Sequence, residues 1–390
     1  MASHSSKFDP VVVVGGGFGG LTTALALSQF DHRPQIILIE PKRKFVFFPL
    51  LYELLSGELH AWEVAPSYRS LLSESGISLI EDFVENIDTN AKTVITASGL
   101  LLTYSQVVLG TGSVPSTTCE VPGLRRYALT FHSLEDVDRL RKRIHEIEQC
   151  KSLQKALVII GAGSTGVELA CKLADLLQGV CDIHLIDLAK RVLPNGKSFN
   201  QEQTEHSLTK RGVRVHLQTR VLSISSDQVS LERREGGACQ SFSIAHSGLV
   251  WTGGTRPFVP TVFPEVPLKK GRLPIDEYLQ VVGLKNVFAL GDAAFHEQEN
   301  WPVNAQVAIQ QGKAAAKIVM EIQAGQSLSR FEFFDLGEML SLGIGNATLT
   351  GMGLTLSGPL AFQLRRMVYL VRMPRLSLGV RSATAWLLGN

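Results

Sequence analysis

Two stretches of this 390-residue chain repeat one spacing of glycines, and each is followed at nearly the same interval by an acid. In VVVVGGGFGG, residues 11–20, Gly15, Gly17 and Gly20 have G-x-G-x-x-G spacing, and Glu40 closes IILIE 20 residues after Gly20. In ALVIIGAGSTG, residues 156–166, Gly161, Gly163 and Gly166 repeat it, and Asp187 closes IHLID 21 residues after Gly166. The chemistry is that of dinucleotide binding. The first glycine makes a tight turn, the second lets backbone approach a pyrophosphate, and the third lets helix pack on strand. Free N–H groups and the positive dipole end of the helix then face the anion, and the acid accepts hydrogen bonds from ribose hydroxyls. Gly16, Phe18 and Gly19 complete the first turn. A third pattern lies in WPVNAQVAIQQG, residues 301–312, where Gln306 and Gln310 are four apart and share a face if the stretch is helical. That pair reads either as a polar surface stripe or as two uncharged hydrogen-bonding groups aimed at a neutral ligand.

Each glycine turn has the elements needed to position it. The first follows a β-branched run and precedes LTTALALSQF; the second follows ALVII and precedes VELACKLADLL. Two such sites in one chain point to two dinucleotides, a tightly held FAD and an exchangeable NADH or NADPH. Asp187 favours a free 2′-hydroxyl, whereas Lys190 and Arg191 can meet a 2′-phosphate, so the sequence leaves the choice open. VVLGTGSVP (107–115) and LVWTGGTRP (249–257) each run from an apolar strand into a Gly/Thr turn suited to crossing between domains. Asp292, in VFALGDAAF, can take a ribityl or ribose hydroxyl or cap the next helix.

The expected fold class is α/β, with two Rossmann-like dinucleotide-binding domains and a C-terminal amphipathic membrane-association tail. Residues 1–115 and 252–330 are expected to form a discontinuous FAD domain, 116–251 an inserted NAD(P)H domain, and 331–390 the tail. ERREGGACQ reads as a hairpin turn and 134–155 as a charged amphipathic helix. The uncharged run from Met339 to Leu364 is long enough to span a bilayer. Its glycines, Pro359 and the alternation of NATLTGMGLTLSG mark a β-hairpin instead.

Composition excludes several classes. A formal net charge of +2 argues against nucleic acid as a partner. The five cysteines, Cys119, Cys150, Cys171, Cys181 and Cys239, form no C-x-x-C, which argues against an iron–sulfur ligand set or a disulfide framework. No His spacing suggests a metal site. The opening MASHSSKFDP lacks the apolar core of a secretion signal, so a cytoplasmic or stromal setting is expected.

GGGFGGL, GAGSTGVELA, WTGG, FALGDAA and above all NAQVAIQQG together resemble the two-dinucleotide-binding-domain flavoproteins, and within them the type II NAD(P)H:quinone oxidoreductases, over nearly the whole chain. FVFFPLLYELLSGELHAWEVAP (45–66), LGEMLSLG (336–343) and LTLSGPLAFQLRRMVYLVRMP (354–374) resemble the cyanobacterial and plastid branch, which includes the demethylphylloquinone reductases. Phe48 stands where many members carry Thr. The resemblance implies hydride transfer from NAD(P)H to N5 of FAD and two electrons onward to a membrane quinone, demethylphylloquinone or plastoquinone, without proton pumping. It implies that Gly15 to Gly20 hold the flavin pyrophosphate, Glu40 its ribose and Val84 its adenine, while Thr111, Asp292 and Ala305 line the flavin. Gly161, Gly163, Gly166, Asp187 and Gly253 would bind the nicotinamide coenzyme. Glu168 would relay a proton near the nicotinamide, where sequence alone reads a first-turn acid on a helix dipole. Gln306 and Gln310 would orient the quinone carbonyls without adding a charge to desolvate.

A lipophilic acceptor must be reached from a lipid surface. After Glu338 no acid follows, and Arg365, Arg366, Arg372, Arg375 and Arg381 interleave with Phe362, Leu364, Met367, Tyr369, Leu370, Val371, Trp386, Leu387 and Leu388. This composition suits an interfacial anchor on anionic lipid, hence a peripheral protein on the cytoplasmic or stromal face. A helix packed on its domain and a homodimer contact are the alternatives. Two other functions stay open at this point: a soluble FAD-dependent reductase of a small iron–sulfur carrier, and a redox-sensing protein that binds both cofactors without turnover.

Overall fold

The computed structural model describes residues 9–116, 121–150, 155–374 and 379. The chain forms two compact units: Met1–Val46, Ala65–Val114 and Arg256–Phe334 make the first, and Phe47–Val64, Pro115–Thr255 and Asp335–Asn390 the second.

The first unit is built on a five-stranded parallel sheet in the order Val287–Ala289, Gln106–Leu109, Val11–Val14, Ile36–Ile39, Ser78–Ile80. The three central strands are wholly buried and carry β-branched or aliphatic side chains almost throughout, as a sheet covered on both faces requires. Helix Phe18–Leu27 follows the first strand. Helix Ala305–Ala324 begins at Asn304, whose side chain accepts the Val307 N–H at 2.9 Å, and stops at Gly325 in the left-handed region. These two helices meet through glycine. A Cβ on Gly312 would come within 2.5 Å of the Gly19 carbonyl oxygen.

The second unit repeats the plan. Its parallel sheet runs Gly248–Trp251, Ala156–Ile160, Asp182–Ile186, Arg214–His216, and as in the first unit the strand before the glycine turn pairs on one side with the strand that follows the turn's helix. A three-stranded antiparallel sheet, Thr219–Ile224, Gln228–Glu235 and Ala238–Ala245, covers it, and Val158, Ile160, Ile186, Val221, Val229, Leu231, Leu249 and Trp251 form the shared core. The turn expected in ERREGGACQ joins the last two of those strands at Gly236 and Gly237, both at positive φ. The charged helix runs Leu134–Gln149, capped by Ser133. The hairpin read in NATLTGMGLTLSG is Ala347–Gly351 paired with Leu354–Gly358. Among the described residues no helix is long and apolar enough to cross a membrane.

Two segments lie elsewhere than the sequence suggested. Residues 47–64 cluster with the second unit, and so do the described residues after 334. Side chains explain both. Phe47 meets the Tyr369 ring edge-on at 5.4 Å, and Tyr52 lies 5.3 Å from the Phe131 ring. Asn200 donates to Glu338 at 2.9 Å and to the Thr350 hydroxyl at 3.0 Å.

Candidate functional site

The two glycine turns match hydrogen bond for hydrogen bond. Gly15 donates to the Ile39 carbonyl at 2.9 Å, and Gly161 to Ile186 at 2.7 Å. The amide after each is taken by the acid: Gly16 N–H reaches Glu40 Oε2 at 2.7 Å, and Ala162 N–H reaches Asp187 Oδ2 at 2.5 Å. The second carboxylate oxygen accepts two residues downstream, from Lys42 at 3.0 Å and Ala189 at 2.7 Å. Each acid is thus fixed at the carboxyl end of its strand beside the turn, where a ribose lies in a Rossmann unit. Neither Gly20 nor Gly166 tolerates a side chain. Their Cβ atoms would stand 1.9 Å from the Gly15 oxygen and 1.7 Å from the Gly161 oxygen.

In the first unit, Phe18 stacks edge-on against Phe45 at 5.3 Å, and the Tyr68 hydroxyl donates to the Gly16 carbonyl at 2.8 Å. Burial, helped by the Glu40 charge, holds the Tyr68 phenol well above its usual range, so it stays a donor. Val84 is buried at the start of its strand. Thr111 donates to the Phe258 carbonyl, and Asp292 accepts the Ser113 hydroxyl at 2.5 Å rather than capping a helix with its side chain. Ala305 is the first residue of its helix. Gln306 and Gln310 are half-buried there, one turn apart. The Gln310 amide is committed to backbone, donating to the Phe334 carbonyl at 2.9 Å and accepting its N–H at 3.0 Å. Gln311, which the sequence did not single out, is the buried amide of the three and accepts Gly291 N–H at 2.6 Å.

In the second unit, Gly163 caps helix Ser164–Leu177 and Gly253 follows the last strand of the sheet. Arg191 pairs with Glu205 at 3.4 Å. Glu168, on the first turns of that helix, is 6% exposed and accepts the Ser341 N–H at 2.7 Å. Burial is the main reason its carboxyl is pushed up to about 7, against the opposing pull of Arg365 and the Ser341 amide. The structure does not gather the three residues expected to act on substrate into one unit. Glu168 belongs to the second and the two glutamines to the first.

Around Glu168 is a buried polar cluster that the sequence did not reveal. Arg365 is fully buried, pairs with Glu53 through Nη1, donates to the Pro49 carbonyl at 2.6 Å, and lies 3.6 Å from Glu168 Oε1. Lys172, also fully buried, meets Glu58 at 2.5 Å. This corrects the reading of Arg365, Phe362 and Tyr369 as lipid-facing: all three point inward. The same helix, Pro359–Arg372, leaves Leu360, Met367 and Val371 exposed. Arg375, Arg381, Trp386, Leu387 and Leu388 lie outside the described residues. One signal was present: a single acid inside PLLYELL and an arginine inside AFQLRRMVYL each interrupt an apolar helix face.

The residues present fit two dinucleotides. Helices Leu134–Gln149 and Ala305–Ala324 satisfy first-turn N–H groups with a side-chain cap, but Phe18–Leu27 and Ser164–Leu177 begin at glycines that offer none. Their first-turn amides are therefore presented to an anion, as a pyrophosphate requires. Among the described residues, chain neighbours aside, no atom lies within 4 Å of a Cβ built on Gly163, and only the Gly110 oxygen, at 3.8 Å, lies near one on Gly17. Both turns are thus open cradles. Among the described residues Cys150, Cys171, Cys181 and Cys239 are free thiols, and all four belong to the second unit.

Residues 9–312 match the family model described as pyridine nucleotide-disulphide oxidoreductase. Demethylphylloquinone reductase NdbB of Synechocystis sp. is 36% identical, over 93% of this chain and 92% of that protein. Alternative NAD(P)H-ubiquinone oxidoreductase C1 of Arabidopsis thaliana is 33% identical, over 95% and 78%. Plasmodium falciparum NDH2, solved in complex with NADH, has the same fold: TM-score 0.86, 97% of this chain and 98% of that one, at 15% identity. The chain belongs to the pyridine nucleotide-disulphide oxidoreductase family, in the branch of the type II NAD(P)H:quinone oxidoreductases.

Proposed function

We propose that this chain is an FAD-dependent NAD(P)H:quinone oxidoreductase. The observation that carries the reading is the doubling of one device, a glycine turn with an amide-locked acid, in two parallel-sheet units of a single chain. One dinucleotide is then resident and the other exchangeable. The relatives' names support a quinone as acceptor, with demethylphylloquinone or plastoquinone as the finer proposal.

The roles belong to the same proposal, and the two glycine turns support them. Gly15 to Gly20, Glu40, Val84, Thr111, Asp292 and Ala305 hold FAD, which when bound supplies the two-electron carrier between nicotinamide and quinone. Gly161, Gly163, Gly166, Asp187 and Gly253 hold NAD(P)H. Glu168 holds or releases a proton at its carboxyl near neutrality. Gln306 offers its amide to a quinone carbonyl; Gln310 keeps one N–H for the same purpose after pinning Phe334. The exposed stripe Leu360, Met367 and Val371, with Arg366 and Arg372 on the same helix, seats the protein on an anionic lipid surface at the cytoplasmic or stromal face.

The test uses purified flavin-loaded protein under anaerobic conditions. NADH or NADPH should bleach the flavin absorbance, and a water-soluble quinone should restore it. Bleaching without quinone-dependent recovery would leave only a cofactor-binding sensor, and recovery only with an iron–sulfur carrier would leave the carrier reductase.

A further inference from the structure

Arg365 serves two carboxylates at once. Its Nη1 pairs with Glu53, itself 2% exposed, its Nη2 lies 3.6 Å from Glu168, and its guanidinium covers the Tyr369 ring at 4.8 Å. The contact with Glu53 is much the closer. Two atoms of the cluster are buried without a hydrogen-bond partner among the described residues, Glu53 Oε2 and Arg365 Nε. Such a cluster is poor at stabilising a fold, because one cation must compensate two desolvated anions. It is well built for holding one proton. The carboxyl farther from the guanidinium, Glu168, is the one that takes it.

Every packed element contributes to the field at Glu168. Helix Leu51–Ser56 brings Tyr52, which hydrogen-bonds to it, and Glu53. Helix Pro359–Arg372 brings Arg365 and Tyr369, and strand Glu338–Ser341 brings the Ser341 N–H. On its own helix stand Cys171 and Lys172, the latter paired with Glu58.

We infer that Arg365 is a positioning residue: by dividing its guanidinium between Glu53 and Glu168 it sets the pH at which Glu168 releases its proton, and Glu53 is the opposing lever on that proton. The inference rests on the quinone-reductase reading and deepens it. Its signature is a difference in sign. Losing Glu53 removes an anion that favours protonation and frees Arg365 for Glu168, so proton release moves to lower pH. Losing Arg365 removes the cation that favours the carboxylate, so it moves to higher pH. A bracing role alone would make both losses act alike.

The experiment follows the Glu168 carboxyl in flavin-loaded enzyme by infrared titration, using the protonated carbonyl band that disappears in Glu168→Gln, beside the pH profile of quinone reduction. Glu53→Gln should shift the band's midpoint down and Arg365→Met up, each by roughly one pH unit or more. Arg365→Lys should return it toward the wild-type position, and the double variant Glu53→Gln/Arg365→Met should fall between the singles. Midpoints that stay put, or move in the same direction, overturn the inference. If Arg365→Met does not fold, Glu53→Gln alone decides: a midpoint that is unmoved or raised overturns it. Wild-type enzyme that never reduces a quinone would sink the functional reading instead, and the infrared midpoints would still test this one.

Discussion

Glu168 accepts the backbone N–H of Ser341 at 2.7 Å, although 173 residues separate them. One buried carboxyl thus holds the first turns of the coenzyme helix to a strand near the end of the chain. Because burial raises its proton affinity to about 7, against about 4.3 for a free Glu, the folded protein holds a proton that the unfolded chain has released over that interval. Its stabilisation is fully present below the unfolded value and is lost as pH rises through about 7. Unfolding free energy should therefore fall by about 3 kcal/mol between pH ~5 and ~8 from this group. Urea unfolding at several pH values checks it. In Glu168→Gln the slope over that window should flatten, and an unchanged slope would assign it to other groups.

The second glycine turn separates packing from ligand binding. A methyl at Gly166 would sit 1.7 Å from the Gly161 oxygen, so Gly166→Ala must displace backbone. At Gly163 the same methyl meets no described residue beyond its chain neighbours, and the backbone (φ −72, ψ −174) suits any residue. Gly166→Ala should lower the unfolding midpoint by several degrees, a loss of roughly 1–3 kcal/mol. Gly163→Ala should leave it in place yet raise KM for NAD(P)H tenfold or more, since the space it fills is the one a pyrophosphate needs. Thermal unfolding without coenzyme, set beside steady-state kinetics, distinguishes the two. Equal KM values for Gly163→Ala and wild type would move the coenzyme away from this turn.

What could be read from the sequence was whatever short-range pattern encodes. The parallel strands are runs of β-branched and aliphatic residues, and the two turns announce themselves because only glycine survives their close backbone approach. The hairpin at 347–358 alternates visibly. The cluster around Glu168 depends on contacts between residues hundreds of positions apart. Nothing in LYELL or LRRMVYL says that Glu53 and Arg365, 312 residues apart, will meet. Arginines among apolar residues also look alike whether the helix faces lipid or places one of them inward. The commitment of Gln310 to Phe334 was hidden for the same reason, since its partner is a backbone 24 residues later.

That commitment splits the glutamine pair. Replacing Gln310 removes both hydrogen bonds to Phe334 as well as any to a substrate. Gln310→Ala should cost about 1–3 kcal/mol of stability and also weaken quinone turnover. Gln306→Ala should raise KM for quinone severalfold, with KM for NAD(P)H unchanged. Denaturant unfolding and two-substrate kinetics measure both. If Gln306→Ala alters the nicotinamide KM instead, the amide belongs to the donor side of the reaction.

Membrane association must be tested without dismantling the second unit. Deleting residues from 360 onward would seem the direct route, but it removes Arg365 and leaves Glu53 as an uncompensated buried charge, a loss of about 3–5 kcal/mol. Released protein would then be misfolded protein. Point changes on the outer face avoid this, because Met367 is 60% exposed and Val371 85% exposed while Arg365 and Tyr369 face the other way. Met367→Asp with Val371→Asp deletes apolar contact and adds charge facing an anionic surface. Co-sedimentation with vesicles containing phosphatidylglycerol should fall at least tenfold, while reduction of a water-soluble quinone stays at the wild-type rate. Undiminished sedimentation would show that this face of the helix is not what meets lipid.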